Sequence, residues 1–358
     1  MALTAALAAL ALAVAAAVAA RRARGPGARR VALASLGLAV SAAAYLLLAA
    51  AVLREPSRVR YTALDGAVPG RLTVPDDDLG FAHRPGARVR ALRSDDAGVI
   101  YDVVYTVGDD GLRVTPGDPA GPPIVFFGCS YTFGEGVGDD APLPVRVSAL
   151  LGGHAHVVNH GIAGSGPHQM LRALETGRAS IPAGARVFYQ ALGDHVRRVA
   201  GKAPWDDAGP RYVLDADGIV WTGPLHAPLV RPLRRAAARL VRSGILPTRV
   251  FGYEVTEDER ELFVRIVARS AALVRGAGGR FTVVFWDDTP EDADLADRRA
   301  SRGLEVWRVS GLLPGVDRGS LRIPRDTHPA PELYRMLAAA MTARMAADPP
   351  APATAAGP

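Results

Sequence analysis

Cysteine is almost absent from this sequence, because Cys129 is the single one among 358 residues. One thiol cannot form an intramolecular disulfide, so a disulfide-stapled scaffold is excluded. The lone cysteine is compatible with either side of a membrane and does not indicate a redox compartment. An internal repeat is also lacking.

An excess of charge of one sign is missing from most of the chain. Of 42 basic and 36 acidic residues, eight basic and one acidic lie before Tyr61, which leaves a nearly neutral remainder with 34 and 35. A nucleic-acid binder carries its basic excess on the folded part, so that function class is disfavoured. The length and the balance of apolar and charged residues predict a folded domain with a buried core and extra segments.

The first 53 residues contain two apolar runs, 2–20 and 31–53, and each is long enough to span about 30 Å of hydrocarbon as a helix. The loop 21–30 between them holds five arginines. The positive-inside bias therefore predicts a two-helix membrane anchor, 1–53, with the loop in the cytoplasm and the following domain outside the cell membrane. No basic residue precedes the first run, which disfavours a signal peptide. The alternative is one spanning helix beside an Ala-rich surface helix, which leaves the domain free to face inward.

Residues 54–123 are predicted to form a linker and a β-rich lead-in, because Gly, Pro and Asp alternate there with short β-branched stretches. Short apolar runs separated by helix-compatible segments follow. This alternation favours a three-layer α/β fold with a parallel sheet. The five predicted strands are 124–127, 156–159, 186–190, 281–286 and 304–309.

Two helices are clear from the pattern: 257–275, with apolar residues at three-to-four spacing, and a C-terminal helix from about Pro331. The domain is predicted to cover 124–346. An insertion, 197–252, contains a basic helix at 231–242 and is the expected source of substrate-specific shape. The Pro/Ala-rich tail, 347–358, is expected to be disordered.

A serine follows the first predicted strand, in the segment Phe126 to Gly134. The carboxyl edge of a parallel sheet is where such folds bind ligands. The N–H groups at the start of a following helix can also face a developing oxyanion. Taken alone, Gly-x-Ser is also a common turn sequence with a structural serine.

This segment resembles the first block of the SGNH (GDSL-like) hydrolase superfamily, Gly-Asp-Ser followed by Thr and Gly, with Cys129 at the Asp position. The resemblance extends to about Ala340, and the lead-in segments 79–81 and 111–113 are similar to those before the motif in many bacterial members. It implies a flavodoxin-like domain with strand order 2-1-3-4-5 and no cofactor or metal. Ser130 is then the nucleophile, and its own N–H contributes to the oxyanion hole.

The segment 157–166 resembles the second block, which implies that Gly164 donates its N–H to the oxyanion. A Gly-rich turn without a catalytic role is the alternative. Asn159 is interpreted as a residue that organises the turn.

The third block departs from the family, because Gly193 stands where an oxyanion-hole Asn is expected. Loss of one such donor can lower the rate by about 10²–10³. Three explanations stay open: His195 or Gln169 supplies a donor, fewer donors suffice, or the domain is catalytically weak.

The last block, 323–329, resembles the family's Asp/His loop. Arg325 stands where many members have the Asp of Asp-x-x-His, and Asp326-x-His328 resembles the shorter form of some polysaccharide-modifying relatives. A histidine there takes the serine proton, while the carboxylate fixes the imidazole tautomer. A helix-capping Asp beside an incidental His is the alternative.

Three other groups carry weaker signals. A metal site at His154, His156, His160 and His168 lacks nearby cysteines or well-spaced carboxylates. Asp287 and Asp288 are better explained as helix-capping or solvated residues than as paired catalytic carboxylates. His195, Arg197 and Arg198 form either an anion contact or, as favoured here, a solvated charge cluster.

The sequence therefore predicts a membrane-anchored serine esterase with the triad Ser130, Asp326 and His328 and with Ser130 and Gly164 as oxyanion donors. The expected substrate is a small-molecule or glycan ester, such as an acylated cell-envelope glycan or lipid. Two alternatives stay open: an O-acyltransferase that uses the same triad, and a degenerate glycan-binding or scaffolding module. Neither the acyl and alcohol parts of the substrate nor an oligomeric state is implied.

Overall fold

The computed structural model describes residues 18, 25–53, 58–64, 72–216, 218–242, 246–252 and 254–347. The predicted apolar run 2–20, except for Val18, lies outside these ranges, as do parts of the loop 21–30 and of the linker. The predicted disordered tail lies outside them beyond Ala347. The chain divides into two compact units, one of Met1–Ser57 with Pro232–Val250, the other of Arg58–Arg231 with Phe251–Pro358.

In chain order the elements are α1 (Pro26–Leu53), β1 (Arg58–Ala63), β2 (Thr73–Asp76), β3 (Gly80–His83), β4 (Arg88–Asp95), β5 (Gly98–Thr106), β6 (Pro123–Gly128), α2 (Ser130–Phe133), α3 (Leu143–Leu150), β7 (His156–Gly161), α4 (Pro167–Glu175), β8 (Arg186–Ala191), α5 (Asp194–Val199), β9 (Pro210–Asp215), β10 (Gly218–Pro224), α6 (Arg231–Arg242), a 3₁₀ turn (Thr248–Phe251), α7 (Glu257–Gly276), β11 (Arg280–Phe285), α8 (Pro290–Ala300), β12 (Glu305–Arg308), α9 (Val309–Leu312) and α10 (Pro331–Ala347).

The first unit contains α1, which begins at Pro26 because proline suits the first turn of a helix. This helix includes the second predicted membrane run, 31–53. In the ranges that the structure describes, no helix is long and apolar enough to cross a membrane. The two predicted spanning helices therefore have no structural support.

The second unit is built on a five-stranded parallel sheet with the order β7-β6-β8-β11-β12. Numbered along the chain, this is the predicted order 2-1-3-4-5. Each strand starts and ends within three residues of its predicted position. The agreement follows from the short apolar runs, because a strand buried on both faces has few polar positions.

Two apolar clusters cover the faces of this sheet and make a three-layer α/β domain. On one face Phe126 and Phe188 pack with residues of α3 and α10, and on the other Phe127 and Val187 pack with α4 and α7. The faces alternate along each strand because successive side chains point to opposite sides. Full burial of such a side chain contributes about 1.5–3 kcal/mol.

The predicted β-rich lead-in forms an antiparallel sheet, β1-β4-β5, and a separate hairpin, β2-β3. Val89 and Tyr105 of this sheet belong to the same buried cluster as Phe126 of the central sheet. The lead-in is thus part of the domain core. The insertion contributes the antiparallel hairpin β9-β10, of which Tyr212 packs in the other cluster.

Candidate active site

Ser130 lies where β6 turns sharply into α2, at the carboxyl edge of the central sheet. Gly128 permits this turn, because a Cβ atom there would lie 2.1 Å from Thr132 Oγ1. Ser130 is 6% exposed, and its Oγ donates to Cys129 Sγ over 3.9 Å. Its backbone N–H donates no hydrogen bond within the part of the chain that the structure describes. Ser130, the predicted nucleophile, is therefore nearly buried, and its own backbone N–H has no hydrogen-bond partner among the described residues.

Asp326 and His328 form a close pair in the loop 323–329, here called the Asp–His loop. His328 Nδ1 lies 2.5 Å from Asp326 Oδ1, and the His328 amide donates to the same oxygen over 2.8 Å. The Asp326 side chain is fully buried, and its other oxygen accepts from Arg93. Burial favours a higher pKa for Asp326, but the hydrogen bonds from His328 and the charge of Arg93 outweigh it and hold the pKa below its ordinary value. The carboxylate is thus ionised and fixes the Nδ1–H tautomer of His328.

The other ring nitrogen of His328, Nε2, lies near the carboxylate of Glu135. Nε2 lies 3.7 Å from Glu135 Oε2, and the imidazole lies between two carboxylates. The Glu135 amide donates to Ser130 O over 2.9 Å, and the ring of Tyr131 lies 5.4 Å from that of His328. The structure therefore places His328 next to the Ser130 segment, without a hydrogen bond between Ser130 Oγ and the imidazole.

The lead-in sheet holds the Asp–His loop in place. Arg325 has a φ of 63°, in the left-handed region that residues other than glycine rarely adopt. Its guanidinium pairs with Asp95 and donates to Val99 O over 2.8 Å, while Arg93 of β4 pairs with Asp326. Arg325 stands where the Asp-x-x-His form of the motif would have its Asp. It thus anchors the Asp–His loop to β4 and β5.

Gly164 lies in the turn after β7 with a φ of 87°, a conformation that glycine adopts without strain. Its N–H donates no hydrogen bond among the described residues, while its carbonyl oxygen accepts from Trp205 Nε1 over 2.9 Å. A Cβ atom here would lie 2.9 Å from that nitrogen. Asn159 organises the turn as predicted, because it donates to Thr132 O and accepts from the Gly161 amide.

At Gly193, where the resemblance to SGNH hydrolases implies an amide, a side chain would meet the carboxylate of Asp292, which would have to move. A Cβ atom on Gly193 would lie 2.0 Å from Asp292 Oδ1. The two side chains considered as substitutes, His195 and Gln169, are both buried, and His195 Nε2 has no hydrogen-bond partner among the described residues. His195 is fully buried, with Nδ1 2.6 Å from the Tyr189 hydroxyl. Burial and the nearby Arg198 lower the pKa of His195 well below its ordinary value, so the ring is neutral. The Gln169 amide nitrogen donates a hydrogen bond to Asp206, and the amide oxygen accepts from the Gly166 amide.

The favoured interpretation of His195, Arg197 and Arg198 as a solvated charge cluster is wrong for His195 and Arg198, which are both buried. The Arg198 side chain is 8% exposed and pairs with Asp194, and it donates to Ser165 O over 2.6 Å. Arg197 also pairs with Asp194 but retains 12% exposure. The sequence alone could not show that Arg198 is buried. Arg197 and Arg198 are adjacent and identical in type, and they differ only in the face of α5 on which they lie.

Asp287 and Asp288 are tied into loops. Asp287 accepts from the Ser310 amide at the start of α9, and Asp288 pairs with Arg318 and Arg322. The cap of α8 is instead Thr289, which accepts from the Asp292 amide.

Within the described ranges, no group of three or more His, Cys, Asp or Glu residues is arranged to hold a metal ion. His168, one of the four histidines considered above, pairs with Asp206.

Sequence reasoning missed Arg93, Tyr101, Glu135 and the role of Arg198. Glu135 lies five residues after Ser130, directly after the segment Phe126 to Gly134, so its position was a usable signal. Tyr101, whose hydroxyl lies 3.3 Å from Glu135 Oε1, and Arg93 come from the lead-in sheet, and no local pattern connects them to the Asp–His loop.

No family profile and no curated protein matches the chain. Among solved structures, a lipolytic protein of the G-D-S-L family from Veillonella parvula is similar, with 13% identity, a TM-score of 0.38, and coverage of 61% of this chain and 94% of its own. A protein of the same family from Desulfitobacterium hafniense has 11% identity, a TM-score of 0.37, and coverage of 62% and 98%. A Bacillus subtilis protein has 9% identity, a TM-score of 0.37, and coverage of 75% and 68%. Likeness at these levels says nothing about the activity of this chain.

Proposed function

We propose that the protein is a serine esterase that acts through an acyl-enzyme intermediate at Ser130. The observation that carries this proposal is the Asp326–His328 pair, with a buried carboxylate and 2.5 Å between Oδ1 and Nδ1, beside the start of α2. A carboxylate at Nδ1 leaves Nε2 as the acceptor of a proton and stabilises the imidazolium that forms. The resemblance of the first, second and last sequence blocks to SGNH hydrolases supports the same assignment.

In this mechanism Ser130 Oγ turns from Cys129 Sγ towards His328 Nε2 and attacks the ester carbonyl as its proton passes to the imidazole. The tetrahedral oxyanion accepts from the N–H groups of Ser130 and Gly164, neither of which has a partner among the described residues. Collapse expels the alcohol, which takes the proton from His328. Water then repeats the sequence on the acyl-enzyme.

The substrate class that we propose is an acylated glycan or lipid of the cell envelope. It rests on the predicted outward placement of the domain and on the family resemblance. Transfer of the acyl group to a sugar hydroxyl would use the same residues, with the sugar in the place of water. Release of free acid, measured against transfer to added sugar, separates the two reactions.

Membrane anchoring is a separate part of the proposal and rests on the sequence alone. The five arginines of the loop 21–30, between two apolar runs, favour a cytoplasmic loop and an outer domain. Reporter fusions after Pro350 test this placement. An external signal is expected, and a cytoplasmic signal would contradict it.

A non-catalytic glycan-binding or scaffolding module is the second candidate. Two observations favour it: His328 Nε2 lies 3.7 Å from Glu135 Oε2 with no hydrogen bond from Ser130 Oγ to the ring, and a side chain at Gly193 would meet Asp292 Oδ1. Catalytic hydrogen bonds are often long in structures without substrate, so neither observation excludes chemistry.

Labelling of the full-length protein with a fluorophosphonate probe decides between the candidates. An esterase is labelled, and the label is lost in Ser130→Ala and in His328→Ala. Ser301→Ala is the matched control, because Ser301 is an exposed serine at the end of α8. This control is expected to keep the label. Folded wild-type protein that takes no label would make the binding module the leading assignment.

A further inference from the structure

Positive charge is concentrated in one part of the insertion. From Gly218 to Tyr253 the chain contains six arginines and no Asp or Glu, although the sequence beyond Arg60 is nearly neutral as a whole. Helix α6 lies in the middle of this segment and has no acidic residue in its first turn. Acidic side chains are favoured at that end of a helix by the helix dipole, so their absence leaves the basic charge of α6 uncompensated along its own sequence.

Helix α6 is amphipathic. Leu233, Ala237 and Leu240 follow the three-to-four spacing that places side chains on one face of a helix. Arg235 and Arg239 lie on the other side, four residues apart. Leu233 is 72% exposed, and the side chains of Arg235 and Arg239 are exposed as well. An apolar edge and a basic edge of the same helix therefore both face outward.

Exposed apolar side chains continue into the residues directly before the helix. Leu229 is 90% exposed and Val230 is 44% exposed, three and four residues ahead of the outward-facing Leu233 in the sequence. Ala238, at another position around α6, is buried, so the helix packs through that side and leaves the leucine outward. A group of exposed apolar residues beside charged ones is typical of a site that contacts a partner protein or a membrane.

Helix α6 belongs to the same compact unit as α1. That unit combines Met1–Ser57 with Pro232–Val250, whereas the proposed catalytic residues belong to the other unit. Residues 1–53 contain the two apolar runs that predict the membrane anchor. The part of the insertion that groups with the predicted anchor is thus the part that carries the basic amphipathic helix.

We propose that α6 is an interfacial helix that lies on an anionic lipid surface, with Leu233 in the boundary between headgroups and acyl chains and with Arg235 and Arg239 at lipid phosphates. A basic amphipathic helix binds in this way because apolar burial and attraction to anionic lipids act together. An acidic glycan would pair with the arginines but leave Leu229 and Leu233 in water, so lipid fits both features. The inference extends the proposed membrane anchoring and does not depend on the esterase chemistry.

A dye attached to Leu233→Cys tests this contact. Cys129 is buried, so a thiol-reactive, environment-sensitive dye labels the introduced site. The full-length protein is reconstituted into phosphatidylcholine vesicles with or without about 30 mol% phosphatidylglycerol, and lipids with brominated chains serve as quenchers. We expect blue-shifted, quenched emission with phosphatidylglycerol. Leu150→Cys, at an exposed position of α3, is the matched control and should report water. Equal emission and quenching at the two positions overturn the proposal.

Charge reversal in the Leu233→Cys background tests the basic edge. Each arginine near an anionic surface favours the bound helix by about fivefold, so Arg235→Glu with Arg239→Glu should lower the ratio of bound to free α6 by about twentyfold or more and abolish the quenching. Arg269→Glu with Arg275→Glu, two exposed positions of α7, makes the same change in charge and should keep it. Quenching that survives the reversal on α6 overturns the proposal.

Flotation of the same samples on a density gradient separates this inference from the anchoring itself. Protein that floats with the vesicles while the dye on Leu233→Cys reports water removes only the role of α6. Protein that does not float with either lipid composition contradicts both the interfacial helix and the anchor. Fluorophosphonate labelling tests the esterase function independently of these outcomes.

Discussion

At the scale of single residues, His328 is set between two carboxylates with different tasks. Asp326 is fully buried and fixes Nδ1, whereas Glu135, at 16% exposure, lies 3.7 Å from Nε2. With the proton on Nδ1, Nε2 carries a lone pair, so Glu135 forms an ion pair with the ring only when the ring is protonated. That ion pair favours an imidazolium, which cannot accept the Ser130 proton.

Glu135→Gln tests this effect. Removal of the carboxylate charge weakens the contact with the imidazole, so we expect fluorophosphonate to label Ser130 roughly two- to fivefold faster, as for an ion pair worth about 1 kcal/mol or less. Glu332→Gln on α10, where Glu332 pairs with Arg335 at the surface, is the control and should label at the wild-type rate. Slower labelling of Glu135→Gln would show instead that the carboxylate assists Ser130.

Gly193→Asn tests whether the family's amide can simply be restored. The new side chain would overlap Asp292 Oδ1, so we expect a loss of about 1–3 kcal/mol in the free energy of unfolding and no gain in kcat. Adding Asp292→Ala should recover part of that stability, which chemical denaturation would measure. If Gly193→Asn alone is as stable as wild type, Asp292 does not fill this position.

At the scale of elements, the lead-in sheet supports the proposed site. Arg93 pairs with Asp326, Asp95 pairs with Arg325, and Tyr101 contacts Glu135. Three neighbouring positions of β4 and β5 thus hold both the Asp–His loop and the carboxylate opposite it. The sheet is consequently expected to control the geometry of His328.

Arg93→Met should therefore impair activity more than folding. Loss of the partner of Asp326 lets the Asp–His pair shift, and a displacement of about 1 Å in such a group can lower kcat by about a hundredfold. Arg90→Met is the matched control, because Arg90 lies on the same strand and pairs with Asp102 at the surface. Kinetics with 4-nitrophenyl acetate and thermal melts compare the two. Equal kcat for both variants would contradict a role for the lead-in sheet.

The sequence predicted those parts of the fold and site that are encoded locally. The strands and α7 carry their own periodicity, and Asp326 and His328 are two residues apart. The strand order came from the family resemblance, not from periodicity. The contacts of Arg93 and Arg198 could not be predicted, because the first depends on sheet packing and the second on which face of a six-residue helix is buried.

At the scale of the whole molecule, buried histidines make folding sensitive to acid. Burial, with Arg113 nearby, lowers the pKa of His83 from 6.5 to about 3, and burial lowers that of His160 from 6.5 to about 4. Below pH 6.5 the unfolded chain takes up protons that these folded-state imidazoles do not. Their contribution to stability is therefore complete above pH 6.5 and is lost as the pH falls towards 3–4.

His83→Leu should reduce this acid sensitivity. His83 is 2% exposed and packs on Phe133, so leucine keeps an apolar contact and removes the titrating group. We expect a smaller fall in melting temperature between about pH 7 and about pH 4 than in wild type. His154→Asn, at an exposed position, should follow the wild-type curve. Parallel curves for His83→Leu and wild type would exclude His83 as a source of the acid sensitivity.

The central claim is that Ser130 carries a covalent acyl group during turnover, and mass spectrometry of the acid-quenched, full-length protein after mixing with 4-nitrophenyl acetate tests it most directly. An acetyl group on the peptide that contains Ser130, absent from Ser130→Ala, is the predicted result. Folded wild-type protein that releases no nitrophenol and carries no acetyl group on that peptide would contradict the claim.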